Sequence, residues 1–334
     1  MKRLFHCLCF TAVLLCADSQ LFSEPAGPVS VVSKAAEALR ETYRENPELS
    51  IGARTCVVGG FTWSDSGVGT AFSEYLRGLV EDALMEIDEF DLVIPPDGSV
   101  FFGREAEQFI TGEDASHGGR LPVSAFRLYG TYEVRDGKAV VQVKVFSEVF
   151  SRLMSEFALF IPMENIPPGV EIYPSNLDVI SDVSENVGDL YSGTEDFQIF
   201  ISTNRGEGGV FKEGEYLKLF LLASRDSYIK LYHIDVKGKT ALIFPNRFEK
   251  NNYLPGGEIL EFPGKRSPFQ FRIVPPYGTE IIKVVASTRQ FSSLEKDFSD
   301  LGYATRGLFI EESEQETREI MAEGLVHFTI LGKE

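Results

Sequence analysis

The sequence has few of the side chains from which most catalytic and metal sites are built. Its 334 residues include four cysteines, four histidines and one tryptophan. Three of the cysteines (Cys7, Cys9 and Cys16) precede residue 24, so the rest of the chain has a single thiol, Cys56, and no intramolecular disulfide can form there. Cys56 lies in an apolar segment, which favours a small buried core residue over a nucleophile.

The histidines and glycines do not follow the spacings of known sites. His117, His233 and His327 are far apart, and none is paired at the i, i+4 spacing of a zinc-binding helix. Gly67–Gly69 lies between a predicted strand and a predicted helix, but Phe72 replaces the third glycine of the dinucleotide fingerprint. No Gly-x-Ser-x-Gly elbow supports a serine hydrolase. We therefore expect no catalytic residue, no metal and no cofactor, and predict that the protein is not an enzyme.

Positive charge is in the minority. There are 32 Lys and Arg against 50 Asp and Glu, giving a net charge of -18. Removing residues 1–23 takes away Lys2, Arg3 and Asp18, which lowers the net charge by one to -19. Such a surface repels nucleic acid and anionic lipid headgroups, so we expect no nucleic-acid partner. Solubility is the simplest explanation of the acidity.

The amino terminus has the pattern of a secretory signal peptide. Lys2 and Arg3 precede a mostly apolar run at residues 4–15, which is short for a membrane span. We predict a signal peptide at 1–23 and a periplasmic or otherwise extracytoplasmic location. A lipid anchor at Cys16 is the alternative, although a bulky leucine precedes it where lipoprotein signals have small residues. No later apolar run is long enough to span a membrane, so we expect no membrane-spanning segment in the mature chain.

The first half alternates helix and strand patterns and then forms a hairpin. Apolar spacing and turn residues predict, in order, a helix at Val31–Arg44, a strand at Ser50–Phe61, a helix at Phe72–Ile87, a strand at Phe90–Ile94, a short helix at Glu105–Ile110, and hairpin arms at Phe126–Val134 and Lys138–Phe146. Asp136-Gly137 between the arms favours a tight turn. These patterns predict an α/β domain at residues 27–175.

The second half is dominated by strand and turn patterns. A polar linker is predicted at 176–196, and a mainly-β domain, either a sandwich or a partly open barrel, at 197–334. The predicted elements are strands at Phe197–Ser202, Tyr216–Leu222, Tyr228–Asp235, Thr240–Phe244, Phe269–Val274 and Ile281–Ser287, a helix at Glu314–Glu323, and a strand at Val326–Leu331. The chain as a whole is therefore expected to be α+β.

Several motifs in the second half occur in a characteristic order. They are Phe211–Glu215, Tyr228–Tyr232, Asp235–Gly238, Leu242–Asn246 and Gly278–Glu280. This part of the chain resembles the bacterial domain of unknown function family numbered 4384. The resemblance implies an exported module for binding or assembly, with no shared catalysis. Each motif also has a structural explanation, because Pro245 ends a strand and Asn246 caps the next loop.

The first half resembles the α/β domains of envelope assembly proteins. The shared plan is an apolar strand ending at Phe61, a loop with glycine, the long helix, a strand at Phe90–Val93, and a hairpin with Tyr129–Tyr132. The curli-secretion lipoprotein and the amino-terminal domain of the Tol-system propeller protein are examples of this class. The resemblance implies a role in contacts between envelope proteins.

Aromatic residues concentrate in one sector of the second half and suggest a binding patch. The candidate patch comprises Tyr228, Tyr232, Phe244, Asn246, Phe248 and Tyr253. The competing explanation is that most of these rings belong to the core. The preferred hypothesis is an exported, non-enzymatic envelope protein that acts through contacts with partner proteins. The alternative is a ligand- or glycan-binding module that uses the patch, and an envelope hydrolase is the third possibility.

Overall fold

The computed structural model describes residues 28–47, 54–64, 66–93, 126–147, 152–187, 197–291 and 320–332. The predicted signal peptide at 1–23, with Cys16, lies outside these ranges, as do the predicted helix at Glu105–Ile110 and His117. Within the described ranges, no helix combines the length and the apolar character that a membrane span requires.

The first half contains two long helices packed on one face of a five-stranded sheet that curls into a half-barrel. Its elements are α1 (Pro28–Glu45), β1 (Thr55–Trp63), α2 (Ala71–Met85), β2 (Asp91–Leu92), β3 (Phe126–Arg135), β4 (Lys138–Ser147), β5 (Arg152–Pro162) and a 3-10 turn (Met163–Asn165). The strand order is β2-β1-β3-β4-β5. Strand β1 is parallel to β2 and β3, and β3, β4 and β5 are antiparallel.

Helix α2 is positioned by its apolar stripe and by its amino-terminal cap. Phe72, Leu76 and Val80 recur at helical spacing and are buried against the sheet. Thr70 Oγ1 accepts a hydrogen bond from the Phe72 amide at 3.1 Å, and Ser73 Oγ accepts one from the Thr70 amide at 2.8 Å. This reciprocal cap satisfies amides that would otherwise lack partners at the helix start. The prediction of a long helix here is confirmed.

The β3–β4 hairpin is also confirmed. Asp136 and Gly137 at its tip have φ angles of 51° and 72°, which suit a tight turn between twisted strands. Along β4, Val141, Val143 and Val145 are buried, while Val140, Gln142 and Lys144 between them are half-buried. The alternation places one face of the sheet against the helices.

The second half consists mainly of strands. Its elements are α3 (Leu177–Val187), β6 (Ile199–Thr203), β7 (Gly209–Lys212), β8 (Tyr216–Leu217), β9 (Leu219–Ala223), β10 (Ser227–Ile234), β11 (Thr240–Phe244), β12 (Tyr253–Leu254), β13 (Ile259–Phe262), β14 (Phe271–Arg272), β15 (Gly278–Ser287) and β16 (Met321–Leu331). One sheet has the order β11-β10-β15-β16-β7, with β12 paired to β10, and a second has the order β13-β9-β6. A two-stranded sheet pairs β14 with β8.

The two larger sheets share one hydrophobic core. Leu219 and Leu221 of β9 pack in the same buried cluster as Ile229, Leu231 and Val284 from the larger sheet. Burial of this many branched side chains is the main stabilising contribution to such a sandwich. The predicted α+β class is thus confirmed.

One prediction in the second half needs correction. The residues Met321–Glu323, predicted as the end of a helix, begin β16 instead, because they pair in register with Ser287, Ala286 and Val285 of β15. The part of that predicted helix before residue 320 lies outside the described residues. The predicted linker at 176–196 contains α3, whose Ile180 and Val183 are buried against the larger sheet. The position of the domain boundary remains a prediction.

The two halves touch through glycine-rich loops. A Cβ atom on Gly69 would lie 1.9 Å from the Gly208 carbonyl oxygen, and one on Gly60 would lie 2.6 Å from that of Glu207. Only glycine permits backbones to approach this closely. Thr329 of β16 donates a hydrogen bond from Oγ1 to the Gly69 carbonyl at 2.6 Å. We call this contact the glycine joint.

Asn176, which directly precedes α3, is bonded to the larger sheet of the second half. Its amide nitrogen donates to the Thr279 carbonyl at 2.9 Å, and its oxygen accepts from the Thr279 amide at 3.0 Å. The same nitrogen lies 3.3 Å from the Val236 carbonyl. Residues before α3 are therefore fixed to the end of the larger sheet.

Candidate binding surface

The six residues of the predicted patch do not form one surface. By exposure they are buried (Tyr232, Phe244), half-buried (Tyr228, Asn246) or exposed (Phe248 at 52%, Tyr253 at 40%). Phe244 pairs across the ladder with Leu231 and faces the sandwich core, whereas Tyr228 and Tyr232 point to the opposite face of β10. The two exposed rings of the patch therefore lie in different places, with Tyr253 beside Tyr228 and Phe248 in the loop after β11. Whether either part binds a ligand remains a prediction.

Tyr253 is held in place by Asp226. The Tyr253 hydroxyl donates to Asp226 Oδ2 at 2.7 Å, and the Gly256 amide donates to Oδ1 at 2.9 Å. These two hydrogen bonds, the Gly256 amide first, lower the pKa of Asp226. The bond to Asp226 also raises the pKa of Tyr253. The ring of Tyr228 lies 5.5 Å from that of Tyr253, at an interplanar angle of 63°.

Asn246 caps the loop after β11, as predicted. Its side-chain oxygen accepts hydrogen bonds from the amides of Phe248 at 2.9 Å and Glu249 at 3.0 Å, and its nitrogen donates to the Ile243 carbonyl at 2.9 Å. The turn directs the Phe248 ring outward. There it lies 5.5 Å from the ring of Phe269 and 4.5 Å from the guanidinium carbon of Arg247.

The surroundings of Cys56, His233 and His327 are those of residues with a structural role. Cys56 is fully buried, and burial raises the pKa of its thiol, which disfavours the reactive thiolate. His233 Nε2 lies 2.7 Å from Glu280 Oε2. Burial lowers the pKa of His327 to about 4. In the part of the chain that the structure describes, no three His, Cys, Asp or Glu side chains are grouped so that they could hold a metal ion.

Gly67–Gly69 serves the glycine joint. Gly67 has a φ of 70°, and a Cβ atom on it would lie 2.8 Å from Glu207 Oε1 and 3.2 Å from His327 Nδ1. The amide of Phe72, the second residue of α2, already has partners in the Glu171 carbonyl at 3.0 Å and in the N-cap side chain of Thr70. The Phe72 amide is therefore not free to bind a phosphate at the start of this helix.

Two surface features were not predicted from the sequence. Strand β5 forms an edge of the first sheet, and two loops of the second half bring together four basic side chains. The basic residues are visible in the sequence as Arg247, Lys250, Lys265 and Arg266, but only the contact between Ser267 and Glu249 shows that they share one surface.

Part of the second half is similar to a known protein family. Residues 210–290 match the model described as Domain of unknown function (DUF4384). This confirms the resemblance predicted from the motifs between Phe211 and Glu280. The match covers less than half of the chain. No curated protein matches the sequence significantly.

Among solved structures, the LpoB C-terminal domain from Salmonella enterica is 11% identical, with a TM-score of 0.26 over 39% of this chain and 98% of that one. The LpoB C-terminal domain from Escherichia coli is 12% identical, with a TM-score of 0.23 over 35% and 93%. TolB from Acinetobacter baumannii is 10% identical, with a TM-score of 0.21 over 70% and 58%. Likenesses of this size carry no argument about function.

Proposed function

We propose that the mature chain is an exported protein of the bacterial cell envelope that binds a partner protein in an assembly or scaffold role, and that it is not an enzyme. The predicted signal peptide at 1–23 supports the location. The match at residues 210–290 supports a binding or assembly module, since that is what the family resemblance implies. The partner is a protein that presents an extended segment to the edge of the first sheet.

The observation that carries this proposal is the outer edge of β5. Among the described residues β5 pairs with β4 alone. Its stretch Phe157–Ile161 contains no charge, proline or bulge, which are the devices that normally protect exposed edges. Unprotected edges of this kind accept a further strand through main-chain hydrogen bonds.

The face of β5 turned away from the helices is apolar at the same place. Phe160 is 57% exposed and lies opposite Val140 in the β4–β5 ladder. An antiparallel sheet can present a polar face to water without any partner, which is the competing explanation. On such a polar face the paired side chains would be polar, whereas Phe160 and Val140 are both apolar.

In-cell photo-crosslinking tests the proposal. A photoreactive phenylalanine analogue at position 160 is expected to form a reproducible crosslink to one envelope protein. The matched control places the analogue at Met85, which is 67% exposed on α2 and therefore equally accessible. The same products from both positions, or none from position 160, would contradict the proposal.

A ligand- or glycan-binding role is the second candidate, and the exposed Tyr253 beside Tyr228 favours it. The hydrogen bond to Asp226 holds the Tyr253 ring in one orientation, so the ring is preorganised for stacking. Tyr253→Ala should then abolish binding of an envelope glycan to the purified protein, while crosslinking at position 160 remains. A lack of any glycan binding by the wild type would remove this candidate.

A further inference from the structure

Two loops at one end of the second half carry a charge opposite to that of the whole chain. The loops lie at 245–250, between β11 and β12, and at 263–268, between β13 and β14. Their exposed cations are Arg247, Lys250, Lys265 and Arg266. One carboxylate, that of Glu249, accompanies these four cations, although the net charge of the protein is -18.

Direct contacts join the two loops into one surface. Ser267 Oγ donates to Glu249 Oε2 at 3.0 Å, and the same hydroxyl accepts from the Gly264 amide at 2.9 Å. The rings of Phe248 and Phe269 lie 5.5 Å apart across the loops. The surface is thus held by hydrogen bonds and ring packing before any ligand arrives. We call it the basic end.

The basic end presents an apolar ring among its cations. Phe248 is 52% exposed, and the guanidinium of Arg247 lies over its ring. The ion pair closest in sequence to these loops does not involve the four cations of the basic end. It joins Lys218 to Glu261 at 2.8 Å. Exposed phenylalanine flanked by lysine and arginine is the composition of segments that lie in a membrane interface.

We propose that the basic end docks on an anionic lipid surface. The cations would contact headgroup phosphates, and the Phe248 ring would enter the boundary between headgroups and acyl chains. The overall negative charge opposes this approach only weakly, because charges farther away than about 8 Å are screened at physiological ionic strength. An acidic protein could contact the same cations, but it would offer the central ring no hydrocarbon layer.

Vesicle flotation with the mature protein, residues 24–334, tests the proposal. The probes are phosphatidylcholine vesicles with and without phosphatidylglycerol. Each cation near an anionic membrane strengthens binding about fivefold, so Lys265→Gln/Arg266→Gln should weaken binding about thirtyfold. The matched control is Lys237→Gln/Lys239→Gln, which removes two exposed cations from the β10–β11 turn and should leave binding unchanged.

A second variant tests the apolar part of the contact. Phe248→Ser should weaken binding at both low and high salt, whereas the loss caused by Lys265→Gln/Arg266→Gln should shrink at high salt. Urea denaturation of each variant shows whether it folds, so that a folding defect is not taken for lost binding.

Three outcomes would overturn the proposal. They are equal binding to vesicles with and without phosphatidylglycerol, an equal loss in the control variant, and salt-sensitive binding to poly-glutamate without binding to vesicles. The last outcome would assign the basic end to an acidic protein partner. None of them depends on the envelope protein sought by crosslinking at Phe160, so the two proposals fail separately.

Discussion

The glycine joint gives a sharp prediction, because one methyl group should disrupt it. In Gly69→Ala the new Cβ atom would lie 1.9 Å from the Gly208 carbonyl oxygen and 3.0 Å from Val210 Cγ2. The first atom is backbone, so the contact cannot be relieved by rotating a side chain. Forced shifts of this kind in packed regions cost about 1–3 kcal/mol. We expect the upper part of this range, since the loop before α2 must move away from Thr329 as well.

Urea unfolding followed by tryptophan fluorescence is a suitable assay. Trp63 is the single tryptophan, and its amide donates to the Val68 carbonyl at 2.7 Å, so its signal reports on the loop that enters the joint. Gly78→Ala is the matched control, because a Cβ atom there meets nothing within 4 Å. That change should stabilise α2 by about 0.5–1 kcal/mol. If Gly69→Ala unfolds at the same urea concentration as the wild type, the reasoning about the joint is wrong.

Three further predictions concern single side chains. Because the pKa of His327 is lowered from 6.5 to about 4, folding favours the neutral ring, and its contribution to the free energy of unfolding should be full above pH 6.5 and fall towards pH 4 by about 1–3 kcal/mol. Desolvation raises the pKa of Glu207, so the contribution of Glu207 to the free energy of unfolding changes with pH in the opposite direction. Urea unfolding at several pH values should therefore compare the wild type with His327→Gln. Asn246→Ala removes two accepted hydrogen bonds and should lower the unfolding free energy by about 1–2 kcal/mol in the same assay. Lys283 and Glu323 form a buried ion pair at 2.8 Å, so Lys283→Met should cost about 3–5 kcal/mol in thermal and urea unfolding, and Lys283→Met/Glu323→Leu should restore most of it.

Patterns of neighbouring residues were sufficient to predict the elements that those residues form. The apolar stripe from Phe72 onward predicted α2, and Asp136-Gly137 predicted the hairpin. The Asp235–Gly238 motif lies in the turn between β10 and β11, where Ile234 and Thr240 pair. In each case the residues that determine the element lie within a few positions of one another, so no distant contact is needed to predict it.

What the sequence did not predict depends on contacts between distant residues. The start of β16 at Met321 is determined by pairing with β15, more than thirty positions earlier in the chain. Phe244 and Phe248 are close in sequence, yet one is buried and the other exposed, because only the first faces the opposing sheet. Composition alone therefore could not show which aromatic rings remain available to a partner.

Strand β16, the last of the described strands, lies inside the larger sheet between β15 and β7, and it also supplies Thr329 to the glycine joint. If the chain is exported amino terminus first, as we propose, it reaches the far side of the membrane before β16 has paired with β15 and β7 and before Thr329 has bonded to Gly69. The larger sheet and the glycine joint cannot be completed before residues 321–331 have been translocated. Contacts between residues that are far apart in the sequence also form slowly. Chains that end early would keep two unpaired strand edges, which would expose them to proteolysis and aggregation.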